Sequence, residues 1–288
     1  MAEDFPESAC AYARALAAKS KRFARQISAA PEKRAPADGY PEDPFGELSG
    51  KTGCPALRQR FPDRVLVRVS NRCFMNCRHC TRRALLGKSE TADTEERLAG
   101  CVKYVLAHPR VRDVLISGGD ALALPDARLM RIVDAFAALP QIDIVRVCTR
   151  ALSANPARVT ASLAGKLSRS KKVWVNTQFN CADEVTPEAR AAAARLVDRG
   201  IPVSCQTVLL KGVNDSPAEM LRLLRALSAA RIRPYYVFMC DPVAGVGRFR
   251  VPLERARRIE RICAESIGGL SMPRFVADIP GAKRKQPI

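Results

Sequence analysis

The sequence predicts an α/β fold: an incomplete, TIM-like (β/α)6 barrel behind an N-terminal helical extension. Three observations carry this expectation. Short β-branched runs recur from residue 65 onward, their starts about 30 to 50 residues apart. A helical pattern fills each gap, as the crossovers of a parallel sheet require. Each segment with unusual chemistry follows the end of a strand run, where parallel α/β architectures gather their active sites.

The chain divides into residues 1–60, an extension and connector, and 61–288, the barrel. ACAYARALAAKSKRFARQI is basic and alanine-rich and predicts one amphipathic helix. The connector APADGYPEDPFGELSGKTGCP has loop chemistry throughout. Strands are expected at VLVRVS (65–70), DVLIS (113–117), DIVRVCT (143–149), KVWVNTQF (172–179), VSCQTVLL (203–210) and YYVFM (235–239). A seventh strand-like segment, RFVADI (274–279), comes near the end. Between strands, PDARLMRIVDAFAAL places Leu129, Ile132, Val133 and Phe136 on one helical face. Another helix opens with Thr186 as N-cap and Pro187 in its first turn, and stops at Gly200.

Composition narrows the function classes. No apolar run approaches the length of a bilayer span, and the N-terminus lacks the basic-then-apolar order of a signal peptide, so a cytoplasmic protein without a membrane partner is expected. Eleven cysteines form an odd count that no complete disulfide framework uses, and eight lie scattered in contexts that suit small buried hydrophobes. The net charge of +19 is spread over helix faces rather than gathered in an arm, and aromatic residues are only 6%. That pattern argues against nucleic acid as a partner and leaves cations for anionic ligands such as phosphates.

The segment CFMNCRHCTRR carries Cys73, Cys77 and Cys80 in C-x3-C-x2-C spacing. Such spacing lets one loop place several thiolates around one metal centre. In a four-iron cube, three thiolates leave one iron open, as catalytic metals keep a position and structural metals close it. Zinc would need a fourth ligand, and His79 sits between two of the cysteines, which is poor geometry for it.

C-x3-C-x2-C after the first barrel strand resembles the radical S-adenosylmethionine superfamily. FPDRVLVRVSNRCFMNCRHCTRR, RVRDVLISGGDALAL, VNTQFN, VLLKGVND, RPYYVFMCDPVAGVGRFRVP and FVADIPGAKRKQPI resemble, in order, the lysine 2,3-aminomutase family, from about residue 40 to 288. The resemblance implies a barrel of the radical S-adenosylmethionine type and three cofactors: a 4Fe–4S cluster on Cys73, Cys77 and Cys80, S-adenosylmethionine, and pyridoxal 5′-phosphate. It puts Lys285 at the Schiff-base position, with Lys283 as competitor, and the phosphate contacts on Arg60 and Arg64. The glycine-rich segment Ser117, Gly118, Gly119 and Asp120 would let backbone approach a ligand. Asn176, Gln178, Gln206 and His79 join it as cofactor contacts, although the family usually has histidine at 178. Arg82 matches the substrate-carboxylate arginine, and Asp241 and Asp278 match the pair that receives a distal ammonium.

The implied activity is an isomerase that moves the α-amino group of a basic amino acid, lysine foremost, to the β-carbon. The alternative keeps both organic cofactors but ends in elimination, fragmentation or epimerisation of lysine, arginine or ornithine. A flavodoxin- or ferredoxin-type one-electron reductant is the expected partner, and homo-oligomerisation stays open. Against the family pattern, Asn76 replaces an aromatic residue and the glycine run near Lys285 is reduced, and the structural zinc of longer family members is not expected.

Overall fold

The structure, a computed structural model, describes residues 5–29, 39–47, 52–86, 91–92 and 94–288. Connector residues 30–38 and 48–51 lie outside the described residues.

A single curled sheet organises the chain. Its strands are β1 (Leu57–Phe61), β2 (Arg64–Ser70), β3 (Asp113–Gly118), β4 (Ile144–Thr149), β5 (Val173–Thr177), β6 (Val203–Leu209), β7 (Arg233–Met239), β8 (Arg274–Ala277) and β9 (Gln286–Pro287). They stand in sequence order across the sheet. β2 through β8 pair in parallel, while β1 and β9 add antiparallel edges. The strand-like segment at 274–279 therefore extends the parallel set to a seventh strand, one beyond the six units expected. The two edge strands escape sequence reading because each is short and carries charged or proline residues. β1 also spans the boundary expected at residue 60.

The α layer follows from periodicity. α3 (Glu95–Leu106), α4 (Asp126–Ala137), α6 (Ala161–Leu167), α7 (Pro187–Val197), α8 (Pro217–Ala229) and α9 (Leu253–Ser266) cover the outer face, and α5 (Ala151–Ala154) is a single turn. In α4 the four expected apolar residues are buried. Thr186 caps α7 by accepting from the Ala189 amide, with Pro187 in the first turn. α7 ends at Val197, three residues before the expected stop, and Gly200 takes the positive φ of the turn that follows.

The N-terminal extension differs from the single helix expected. It forms α1 (Ala11–Lys19) and α2 (Lys21–Ile27), broken at Ser20. The Ser20 backbone is extended and its side chain accepts from the Phe23 amide, which starts a new helix instead of continuing the old one. This pair buries Ala13, Phe23 and Ile27 in a second apolar cluster with Leu210, Cys240 and Phe249.

The extension also clamps the cysteine loop. The Cys10 amide donates to the Phe74 carbonyl at 2.8 Å, the Asn76 amide to Ser8 at 2.7 Å and the Arg78 amide to Gln26 at 2.7 Å. Asn76 adds a side-chain bond to the Pro6 carbonyl at 3.0 Å. An irregular loop cannot satisfy its own backbone, so these bonds fix its course.

Candidate active site

A cavity of about 580 Å³ opens at the C-terminal ends of the parallel strands. The residues nominated from the sequence line it, from Cys73, Cys77 and Cys80 to Asp241, Asp278 and Lys285, while the competitor Lys283 is not among its lining residues. β2 and β8 lie at opposite ends of the parallel set, so only a curled sheet brings their loops into one space.

The cysteine end is built by β2, β3 and β4. All three thiols are free. Burial, with the neighbouring thiols next, pushes the Cys73 thiol well up; burial and Cys77 raise Cys80 to about 11. Uptake of metal would therefore release protons. Among the described residues no three His, Cys, Asp or Glu side chains converge on a point that one ion could occupy. A cubane assigns each thiolate its own iron, and the three thiols that line this cavity match a cluster with one open iron.

The glycines have a further role besides lining the cavity. A Cβ on Gly119 would fall 2.7 Å from the carbonyl carbon and 2.8 Å from the nitrogen of Arg72, and one on Gly118 would meet Ser70. Gly118 also has φ of +129°. Close approach is needed here, but to the start of the cysteine loop. Asp120 likewise serves its own chain: its carboxylate accepts from Thr149 Oγ1 and the amides of Arg150 and Leu122.

Behind the loop sits a buried polar network that sequence reading missed. Arg150 donates from Nη1 to Cys77 Sγ at 2.8 Å and from Nη2 to Glu184 Oε2 at 3.0 Å and to Gln26 Oε1. Glu184 is fully buried. Burial works against the Arg150 charge, but Cys77 and Glu184 outweigh it and raise its pKa. Next to this network, His79 Nε2 lies 3.1 Å from Gln178 Nε2 and 3.2 Å from Asn180 Nδ2. Two amide donors make Nε2 an acceptor. Burial, followed by Arg150 and Arg248, holds His79 well below the usual imidazole range, so the ring is neutral.

Five cavity-lining residues have a buried polar atom without a partner among the described residues: Arg58 Nη1, His79 Nδ1, Arg150 Nε, Asn176 Nδ2 and Thr177 Oγ1. Unpaired buried donors are costly, so they mark positions a bound ligand would satisfy. Gln206 lines the same wall.

The opposite end is built by β1, β7 and β8. Asp278 holds Arg60 through two bonds of 2.9 and 3.2 Å and Lys285 Nζ at 3.1 Å. Burial works to raise the Asp278 pKa, but Arg60 and Lys285 outweigh it and hold the carboxyl below its ordinary value. Arg60, expected at a phosphate, is thus engaged by a carboxylate. The same pair bridges edge strand β1 to the end of β8. Arg64 stacks on Phe61 at 4.2 Å and meets Asp63 only at 3.5 Å, which leaves it the freer guanidinium for an anion. Asp241 carries no such cation; burial and then Asp278 push its carboxyl up to about 7. Lys285 Nζ lies 4.9 Å from the Phe238 ring centre, partly shielded from water. An amine, a guanidinium and a carboxylate pair around one cavity suit a phosphorylated aldehyde and an amino acid.

Arg82 is held on the wall between these ends. It pairs with Glu47 through Nε at 2.6 Å and Nη2 at 3.0 Å and donates from Nη1 to Ser117 Oγ at 3.1 Å. Sequence reading also missed Glu47, since a glutamate in a loop reads as a solvated charge.

Comparison with known proteins agrees with this geometry. Residues 67–224 match the model of the radical SAM superfamily. The chain is 42% identical to the L-lysine 2,3-aminomutase of Fusobacterium nucleatum, over 81% of this chain and 55% of that protein. It therefore spans just over half the length of that relative. A second relative, named "Putative L-lysine 2,3-aminomutase" in Treponema pallidum, is 34% identical over 98% of this chain and 79% of its own length. Among solved structures, SuiB of Streptococcus suis bound to S-adenosylmethionine aligns with a TM-score of 0.54 at 17% identity, over 81% of this chain and 50% of that one, a likeness of fold.

Proposed function

The chain belongs to the radical SAM superfamily and, within it, to the lysine 2,3-aminomutase family, and from this premise we propose that it is a 2,3-aminomutase of a basic amino acid, lysine foremost. The observation that carries this reading is the single cavity lined by the three cysteines, Arg82, the Asp241–Asp278 pair and Lys285.

Enzymes of this family use a 4Fe–4S cluster, S-adenosylmethionine and pyridoxal 5′-phosphate. When bound, the first two supply a carbon radical that abstracts hydrogen, and the third links the amino nitrogen so that it can migrate. Cys73, Cys77 and Cys80 would hold the cluster. His79 Nδ1 and Asn176 Nδ2, two of the unpaired donors, and Gln206 would contact S-adenosylmethionine, and Gln178 would act on it through His79. Lys285 would link pyridoxal phosphate, with Arg64 the first choice for its phosphate and Arg60 shared with Asp278.

The chain's own groups fix the substrate. Arg82 presents its guanidinium to the α-carboxylate, because two aligned N–H bonds orient a carboxylate as well as bind it. Asp241 and Asp278 receive the distal ammonium. Two carboxylates in one buried pocket repel unless a cation lies between them, and burial, followed by Asp278, holds the Asp241 carboxyl above its ordinary value. A cation entering there brings Asp241 to its charged form. Phe238 and Phe61 flank Lys285 and partly shield its amine. The proposed setting is the cytoplasm, with a flavodoxin- or ferredoxin-type protein as electron donor. No helix among the described residues is long and apolar enough to cross a membrane.

Anaerobic incubation with reductant, S-adenosylmethionine and each basic amino acid tests the reading. Conversion of lysine to a product of equal mass supports the mutase. Loss of ammonia or of a carbon fragment defeats it and favours the elimination or fragmentation alternative.

A further inference from the structure

We propose that Glu47 is a positioning residue for substrate binding: it locks the side edge of Arg82 so that the other edge faces the substrate α-carboxylate. This rests on the reading of Arg82 as the carboxylate site.

The arginine has five N–H bonds. Glu47 takes two from the Nε/Nη2 edge, at 2.6 and 3.0 Å, and Ser117 takes one from Nη1 at 3.1 Å. Two remain, one on each terminal nitrogen. The edge between Nη1 and Nη2 is the one no oxygen of Glu47 occupies. Without Glu47, the long side chain would sample other rotamers, and a misplaced guanidinium loses the directionality that a bidentate contact supplies.

Glu47 is itself anchored, which separates a fixed clamp from a carboxylate that merely fills the site until substrate arrives. Its carbonyl oxygen accepts from Arg58 Nε at 2.9 Å, Arg58 Nη2 at 2.6 Å and Arg68 Nη1 at 3.1 Å. Arg58 comes from β1 and Arg68 from β2, and both are buried. The Glu47 amide donates to Asp43 Oδ1 at 2.9 Å. With its backbone held in this way, Glu47 can leave Arg82 only by side-chain rotation, which breaks both bonds of the ion pair.

Charge bookkeeping agrees. Arg58, Arg68 and Arg82 contribute three positive charges, and Glu47 and Asp43 two negative, which leaves an excess of one positive charge. An incoming carboxylate is neutralised there without expelling Glu47. Burial works to raise the Glu47 pKa, but Arg82, followed by Arg68 and Arg60, outweighs it, so the carboxyl stays ionised.

The test uses the reconstituted holoenzyme and two ligands: lysine, and the diamine left when lysine loses its carboxylate. Dissociation constants are read from the visible absorbance of bound pyridoxal phosphate, so turnover is not needed. Wild type prefers lysine. Arg82→Gln should abolish that preference, and its survival there would defeat the carboxylate reading itself. With that reading intact, Glu47→Gln should cut the preference about 10- to 100-fold, equal to about 1.4 to 2.8 kcal/mol, with diamine affinity unchanged. Glu47→Asp keeps the charge and the carbonyl anchors but withdraws the carboxylate by one methylene; it should cut the preference about 3- to 10-fold. If Glu47→Gln does not fold, Glu47→Asp decides. Wild-type preference in the folded Glu47 variants would overturn the proposal while leaving Arg82 in place.

Discussion

Replacing Arg150 by methionine should destabilise the protein strongly, and the structure sets the amount. Glu184 is fully buried. Its Oε1 accepts from Gln26 Nε2 at 2.8 Å and from the amides of Asn180 and Cys181 at 2.9 and 3.0 Å, while Oε2 faces Arg150 at 3.0 Å. Removing one member of a buried ion pair costs about 3 to 5 kcal/mol, because the other charge is left without compensation. Three surviving donors on Oε1 place the expectation at the lower end, about 3 kcal/mol. Arg150→Met combined with Glu184→Gln removes both charges and should recover about 2 kcal/mol relative to the sum of the single changes. Urea unfolding of the metal-free protein, followed by far-UV circular dichroism under reducing conditions, measures all four corners of the cycle without cofactor loss blurring the transition. A loss below about 1 kcal/mol for Arg150→Met, or strict additivity in the double variant, would refute the reasoning. The same substitution removes the N–H donated to Cys77 Sγ. With the cluster in place its midpoint potential should therefore fall, since hydrogen bonds to sulfur ease reduction.

Other perturbations read different parts of the site. Gly119→Ala places a methyl group against the Arg72 backbone, so bound iron should drop well below wild type while the far end of the barrel keeps its near-UV spectrum. Lys285→Ala should eliminate the visible band of protein-linked pyridoxal phosphate, and a retained band would move the assignment to Lys283. Asp241 gives a pH test. Its folded pKa of about 7 lies above its unfolded value, so its contribution to stability is fully present below about pH 4 and is lost as pH rises through 7, at up to about 1.4 kcal/mol per unit. Asp241→Asn should flatten that slope in thermal melts of the ligand-free protein. Asp278, held below its ordinary value by Arg60 and Lys285, acts in the opposite direction: its contribution is present above the unfolded pKa and lost as the medium is acidified.

The sequence disclosed those parts whose signal is local. Val65, Val67 and Val69 announce β2, Thr186 and Pro187 announce α7, and the cysteine spacing announces a cluster within eight residues of chain. What it concealed is set by contacts between distant segments. Glu47 meets Arg82 across 35 residues, and Gln26 meets Arg150 across 124. Nothing near either residue distinguishes it from a solvated side chain. Arg60 shows the same limit. Its match to a phosphate contact concerns its type, whereas its bond to Asp278 across 218 residues arises only when the sheet curls. The break at Ser20 is the converse case: a serine inside a helical pattern is ambiguous, and the tertiary packing of Phe23 decides it.

The bridge from Arg60 to Asp278 has a consequence for how this architecture diversifies. A fully closed barrel has a fixed girth, because every strand is bonded on both sides, and its interior is plugged by side chains. Here the edges β1 and β9 are not bonded to one another among the described residues, and the seam is spanned by a guanidinium and a carboxylate. Circumference is thereby decoupled from strand pairing. A few substitutions at the seam can widen or narrow the chamber while the hydrogen-bonded wall stays as it is, so new substrate lengths become reachable without rebuilding the core.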